Sequence, residues 1–578
     1  MSVEAQRAVA FSSPRRSLFA GLRRIPIGVL LLAFILCVLI LPPAFFLIKV
    51  SFHASNPDGT LGDLTLRHYS SLFTERFFLP SLINTIVYSL GTAVVALVFG
   101  ISQALIVERT NAPGREWVFL GAIIALGIPN VLHVVSWLLL LGRAGPVNSA
   151  LAATLGPDYV INVYSMWGMI VIEGMNFVPL VFLLMSAVLK SQDASFEEAS
   201  MMSGGRPLRT FWSISIRMGM PGILALLLLV FIRAFESFEV PALVGLAGNI
   251  NVLTTNIYQS TRGQGFPRYG EAGAYSVCLL VIVIGLIYLY NRLSRNAHKY
   301  QSITGKGYRP RVIDLGPMKW VGTSVLAFTF LLVTGLPIII LIFASLQPFY
   351  EGVSAGSFGR WTMENYALLR DASSFHDAIG NTLLMGAATA TAVVPLTALC
   401  AWMAARRAPG AWILDQLATA PLVFPAIVMS VAFLYVFVSL PIALYGTLLS
   451  VIIASTSRYL PYGMRYAYAG VLQIHRELED ASASSGARQL TTFFRIVVPL
   501  LAPALIGAWL FVFLLSVQAV SLPLLLVGPG SEIVAVTLFD LWQNGQVTEL
   551  AAMGVVWIGL MTVVSSIFYY VTRRFQIS

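Results

Sequence analysis

Arg233, Glu236 and Glu239 lie in an otherwise apolar stretch, FIRAFESFEVPALVG, residues 231–245. Ionisable side chains at membrane depth are costly, and they normally face a bundle interior or a wet cavity. Arg233 and Glu236 are three residues apart, which sets them on one helical face where they can pair. Carboxylates lining such a path favour a cation. The alternative is a local ion pair with Glu239 near the outer end of the helix. Asn130 and His133 share a face of an earlier apolar run and are further candidates for the path. A lone intramembrane histidine is more often a hydrogen-bond donor between helices than a ligand.

No residues are spaced for catalysis. A phosphate loop needs G-x-x-x-x-G-K-[ST], and Gly305-Lys306-Gly307 lacks both the leading glycine and the hydroxyl residue. There is no H-E-x-x-H and no Cys/His cluster. Cys37, Cys278 and Cys400 each fall in an apolar run and read as small buried hydrophobes. The chain is expected to be no enzyme, with no catalytic, metal or cofactor-binding residues.

A second pattern is written twice. In SFEEASMMSGGRPLRTFWSISIRMGMP (195–221), Ser195 and Glu198 have capping-box spacing. Gly204-Gly205 stops that helix, and Pro207 restarts another. Phe211, Ile214 and Met218 then recur at helical spacing. The pattern returns 282 positions later: Asp480-Ala481 stands for Glu198-Ala199, Gly486 for Gly204, Phe493 for Phe211, Ile496 for Ile214 and Pro503 for Pro221. At the same offset, Gln518 and Ser521 stand for Glu236 and Glu239, so the charged set occupies one half only. Gln518 and Ser521 join the candidate path.

Both segments resemble the EAA loop of permease subunits of binding-protein-dependent ABC importers: E-A-A, three residues, G, nine residues, then I-x-L-P. The first copy has Ile216-Arg217 where Leu-Pro is usual. The second keeps Pro499 but carries Asp480 for Glu. The resemblance implies coupling loops that dock on ATPase subunits, through Glu198, Ala199, Gly204, Phe211, Ile214, Pro221, Asp480, Ala481, Gly486, Phe493, Ile496, Pro499 and Pro503. Phe211 and Phe493 would be the knobs that fill a groove on the partner. The fused two-copy form and the stretch 235–245 look most like ferric-iron-type permeases.

The positioning elements follow from composition. Of 578 residues, 57% are hydrophobic and 11% charged, against about 25% charged in soluble domains. Most of the surface must face lipid. Runs of spanning length near 26–50, 83–107, 117–142, 160–189, 221–245, 272–291, 320–346, 380–403, 411–439, 444–468, 501–527 and 551–572 predict an all-α membrane protein. About twelve transmembrane helices form two parallel six-helix repeats. The repeat reaches beyond the loops: Ser51, Thr65, Tyr69, Asn84 and Thr85 match Ser345, Thr362, Tyr366, Asn381 and Thr382. Such repeats pack about an axis along the membrane normal.

The expected division is a segment 1–24, a first unit 25–291 with its loop at 195–221, a basic linker 292–319, and a second unit 320–578 with its loop at 474–503. Of the 36 Lys and Arg, 25 fall in loops on the N-terminal side and 8 on the other. The positive-inside rule then puts both termini, the linker and both EAA-like loops in the cytoplasm. The net charge of +10 reflects this topology and not nucleic acid. Polar stretches 246–271 and 528–550 are expected outside, as surfaces for a solute-binding protein.

The resemblance implies an importer permease in a bacterial inner membrane. Its partners would be two ATPase subunits, which use the ATP, and a solute-binding protein. Ferric iron is the favoured substrate. Thiamine, phosphonate, polyamine or sugar phosphate are alternatives within the class, and an ion-coupled secondary transporter is the rival outside it.

Overall fold

Long apolar runs with no water to satisfy their backbone must be helical, and helices dominate the computed structural model. It describes residues 25–56, 61–74, 78–190, 200, 202–204, 213–214, 216–262, 267–297, 314–353 and 355–577. The first unit runs α1 (Ile27–Ser51), a hairpin of β1 (His53–Ser55) and β2 (Leu61–Leu64), α2 (Arg67–Thr74) and α3 (Phe78–Arg109). It continues with α4 (Arg115–Leu126), α5 (Asn130–Leu141), α6 (Pro146–Leu155), α7 (Met166–Lys190), α8 (Ile216–Phe235), α9 (Leu253–Arg262) and α10 (Tyr269–Ala297). The second unit runs α11 (Lys319–Phe330), α12 (Leu336–Ser345), α13 (Glu364–Asp371), α14 (Ser373–Ala405), α15 (Trp412–Thr419) and α16 (Ala426–Ser439). It ends with α17 (Leu448–Gln473), α18 (Glu477–Ser484), α19 (Val498–Val517), α20 (Val534–Gln543) and α21 (Val547–Ile577). The short antiparallel hairpin, with His53 opposite Leu64, is a small departure from an all-α chain.

Among the described residues, ten helices are long and apolar enough to cross a membrane, or eleven if one bent pair counts as a span. This agrees with the expectation of about twelve, and the small difference has a physical cause. Helix α17 has 26 residues but carries Arg458, Arg465 and several Ser and Thr, and it is not among the ten. The run at 411–439 is the bent pair, and the run at 117–142 is broken but still supplies the span Asn130–Leu155. Pro129 caps α5 after a break at Gly127. Pro425 caps α16, and the segment Trp412–Val423 meets Ala426–Ser439 at 107°.

The sequence repeat appears as duplicated hydrogen bonds. Tyr69 Oη donates to Ser51 Oγ at 2.7 Å, and Ser345 Oγ lies 2.7 Å from Tyr366 Oη. Thr65 N donates to Phe52 O and Thr362 N to Leu346 O, both at 2.8 Å. The Thr85 hydroxyl accepts from Leu253 N at 3.1 Å, as Thr382 accepts from Val534 N at 2.8 Å. Asn84 and Asn381 each donate to carbonyls of the segment that leads into that same partner helix. The matched polar residues thus pin equivalent turns and short helices in each unit.

These bonds also correct the expectation for 246–271 and 528–550. Each contains a short helix, α9 or α20, packed inside its unit. Thr254, Thr255 and Asn256 are buried, and Asn256 Nδ2 donates to Ser81 Oγ at 2.9 Å. The polar side chains that look like loop residues in the sequence satisfy one another inside the bundle. The expected spans 221–245 and 501–527 likewise end early, at Phe235 and Val517, before Pro241 and Pro523.

The units exchange their first helices. Val29, Leu32, Leu36 and Ile40 of α1 pack with Ala398, Trp402, Leu414 and Leu460 of the second unit. Leu326 of α11 packs with Ala104, Leu105 and Phe182 of the first. Lipid offers no drive to bury apolar surface between helices, so close packing and hydrogen bonds must hold them. Gly100 allows α3 to approach α7, where a Cβ would sit 2.6 Å from Val181 Cγ1. Gly463 allows α17 to approach α14, where a Cβ would meet Thr397 Oγ1 at 2.5 Å.

Candidate translocation path and coupling loops

Helix α8 ends at Phe235, with Arg233 in its last turn. A cation there suits the negative end of the helix dipole. Arg233 Nη1 donates to Glu236 Oε1 at 2.8 Å, the pair expected from the spacing. Arg233 Nη2 also donates to the hydroxyl of Tyr462, on α17 of the other unit. Arg458, one turn from Tyr462 on α17, brings Nη2 to 3.6 Å from Glu236 Oε1. Its Nη1 donates to the carbonyls of Pro421 and Phe424 at the broken helix. Glu236 is therefore flanked by two guanidinium groups, one from each unit.

Glu239 follows one turn later and accepts a 2.6 Å hydrogen bond from Ser521. These are equivalent positions of the two repeats, so their contact lies where the units meet. Glu236 and Glu239 are both 8% exposed. Next to them, Phe238 packs on Tyr258 at 5.1 Å and on Phe539 of the other unit at 6.0 Å between ring centres. Gln518 is half-buried at the end of α19.

Three residues of this cluster, Glu173, Arg458 and Tyr462, were not singled out by sequence reasoning. Glu173 sits in the middle of α7, fully within an apolar run, and is 2% exposed. The rule that flagged Arg233 applies to Glu173 and Arg458 with equal force. Asn130 and His133 do not join the cluster. His133 is buried in α5 and, with Ser136 and Asn176, lines a cavity of about 20 Å³, room for about one water; Asn176 also reaches Glu173.

The two candidate coupling loops are described unequally. Glu198, Ala199 and Phe211 lie outside the described residues. Gly204 has φ 82° and Gly486 φ 81°, a left-handed conformation that glycine adopts without penalty. Ile214 is half-buried, and Pro221 lies within α8. In the second loop, α18 carries Glu477, Glu479 and Asp480 in its first turn, where acids complement the helix dipole. Asp480, Ala481 and Gly486 are exposed. Ser482 and Thr492 hydroxyls meet at 2.8 Å across the turn. Ile496 is half-buried; Pro499 and Pro503 lie on exposed positions of α19.

Phe493 requires a correction. It is 2% exposed and stacks on Trp402 at 5.0 Å, so it cannot fill a groove on a partner. The residues Phe493–Val497 form a π-helical turn, whose extra residue rotates the face that follows. Phe494 is 61% exposed instead, and Leu478 and Leu490 of the same loop are exposed as well.

The loop is also tied to the bundle. Arg406, at the end of α14, pairs with Glu479 at 2.6 Å and donates to Ile474 O at 3.0 Å. Trp402 Nε1 donates to the other oxygen of Glu479 at 3.0 Å. At the matching place in the first unit, Arg109 donates to Leu189 O at 3.0 Å. The adjacent Glu108 pairs with Arg115 at 2.9 Å and Lys190 at 3.4 Å. After the linker, Asn111 donates to Asp314 at 2.5 Å and accepts from Leu315 N, which returns the chain to the first unit. The backbone of Gly316 and the Asn111 amide hold the Asp314 carboxyl below its usual pKa range.

Two matched units, each with a glycine-stopped loop at one end and a shared polar contact inside, match known proteins along the chain. Residues 96–299 and 394–577 each match the family described as "Binding-protein-dependent transport system inner membrane component". The chain belongs to this family of transport permeases. Membership sets aside the ion-coupled secondary transporter.

The permease is 28% identical over 500 residues to the ferric transport system permease protein FbpB of Actinobacillus pleuropneumoniae, covering 84% of this chain and 70% of that one. It is 24% identical over 490 residues to the Fe(3+)-transport system permease protein FbpB 2 of Haemophilus influenzae, covering 82% and 87%. Over 256 residues it is 29% identical to the putrescine transport system permease protein PotI of Escherichia coli K12, covering 43% of this chain and 89% of that one. The permease is thus a multi-pass membrane component of an ABC importer.

Proposed function

We propose that this permease imports ferric iron across a bacterial inner membrane. A solute-binding protein delivers the iron, and two separate ATPase subunits power transport. The observation that supports iron is coverage: the two ferric relatives match across both units, whereas the putrescine relative has the length of one.

The EAA-like loops and both termini are read as cytoplasmic, from the excess of Lys and Arg on that side. Each loop docks on one ATPase, with Asp480, Ala481, Gly486 and Phe494 presented by the second. Closure of the ATPases draws the loops together and parts the outer half of the path. The Arg233, Glu236, Glu239 and Ser521 contacts between units then open. The ATP stays with the partner subunits, and this chain binds no cofactor.

The test is calorimetric titration of the solute-binding protein that works with this permease. It should bind ferric iron in preference to putrescine, thiamine and 2-aminoethylphosphonate. Preference for an organic solute overturns the iron assignment and leaves the permease assignment intact.

A further inference from the structure

The three buried acids where the units meet are not equivalent. Glu236 lies 2.8 Å from Arg233 and 3.6 Å from Arg458, so its charge is compensated twice. Glu173 and Glu239 pair with no basic side chain among the described residues, yet they are 2% and 8% exposed. They lie within electrostatic reach of each other. Two like charges buried without a counter-ion are strongly unfavourable, so a proton or a cation must accompany them.

The surroundings supply more oxygen. Ser521 donates to Glu239 at 2.6 Å. Tyr88 is fully buried within reach of both acids, and the Ser237 hydroxyl lies beside Tyr88 and Glu173. Carboxylate and hydroxyl oxygens are ligands for hard cations.

We propose that Glu173 and Glu239, with the hydroxyls of Tyr88, Ser237 and Ser521, form the transit site for a hard, multiply charged cation. Glu236 is a strut, held by arginines of both units. Among the described residues no three His, Cys, Asp or Glu converge as a metal cage. Two carboxylates and three hydroxyls make a weak site, and a transit site must bind weakly enough to release. Ser521 and Glu239 come from different units, so parting the units removes a ligand and changes affinity during the cycle. The site rests on the ferric reading only for which cation passes.

The test uses the full chain assembled with its ATPases, and terbium(III) as a luminescent probe excited through Tyr88. Glu173→Gln and Glu239→Gln should each weaken terbium binding at least tenfold and cut iron uptake by a similar factor. Tyr88→Phe keeps the side chain's shape and should lose most of the sensitised emission; size-exclusion of the assembly checks folding. Unchanged terbium affinity in both Gln variants, or full emission from Tyr88→Phe, overturns the site. If the wild-type assembly takes up no iron while terbium binding still depends on both acids, the site stands and the iron reading falls.

Discussion

Replacing Arg406 with leucine should loosen the second coupling loop selectively. Arg406 holds Glu479 through two nitrogens, at 2.6 and 2.8 Å, and also caps the Ile474 carbonyl. The two side chains retain 16% and 11% exposure. Breaking a buried pair by removing one partner costs about 3–5 kcal/mol, and this partial exposure puts the site near about 3 kcal/mol. Because 1.4 kcal/mol is tenfold in an equilibrium, local opening of α18 should become roughly a hundredfold more frequent. Hydrogen exchange of the amides from Asp480 to Gly486 reads that opening. Adding Glu479→Leu removes the stranded charge as well, and replacing both partners by apolar groups is often near neutral. The double variant should therefore recover part of the protection, short of wild type because Trp402 Nε1 and the Ile474 carbonyl stay unpaired. If Arg406→Leu leaves exchange within twofold of wild type, the pair does not anchor the loop.

Other outcomes follow from the same geometry. Gly486→Val, forced to φ 81°, costs roughly 1–2 kcal/mol in a left-handed position and should abolish binding-protein-stimulated ATP hydrolysis with normal membrane levels; Gly204→Val should do the same. Phe494→Ala should weaken pull-down of the ATPase with stability within about 0.5 kcal/mol, whereas Phe493→Ala should destabilise the fold by about 3–5 kcal/mol, seen as a lower melting temperature. Cysteine at Ser302 should resist an impermeant thiol reagent in intact cells and react after permeabilisation; reaction in intact cells reverses the topology. Arg233→Leu with Glu236→Gln copies the second repeat and should transport better than Glu236→Gln alone, as judged by initial uptake rates, because the strut's charges are removed together.

Much of this architecture was legible in the sequence because duplication exposes it. Ser51, Tyr69, Asn84 and Thr85 recur with their counterparts, and each recurring pair makes the same hydrogen bond in both units. The Arg233–Glu236 pair follows from helical spacing alone. What escaped depends on distant partners. Asn256 looks like a loop residue until Ser81, 175 positions away, supplies its hydrogen bond. Glu173 and Arg458 carry the same signal as Arg233, yet neither has an opposite charge beside it in sequence, and only folding gathers them. The exchange of Phe493 for Phe494 at the surface comes from a π-helical turn, which regular helical spacing does not anticipate.

The most direct measurement is uptake of radioactive ferric iron into vesicles holding the permease with its two ATPases, with the iron-loaded solute-binding protein outside. Uptake should require ATP on the loop side of the membrane and the solute-binding protein on the other. It should be lost in Gly486→Val. Iron accumulation without ATP, or without the solute-binding protein, would contradict the assignment.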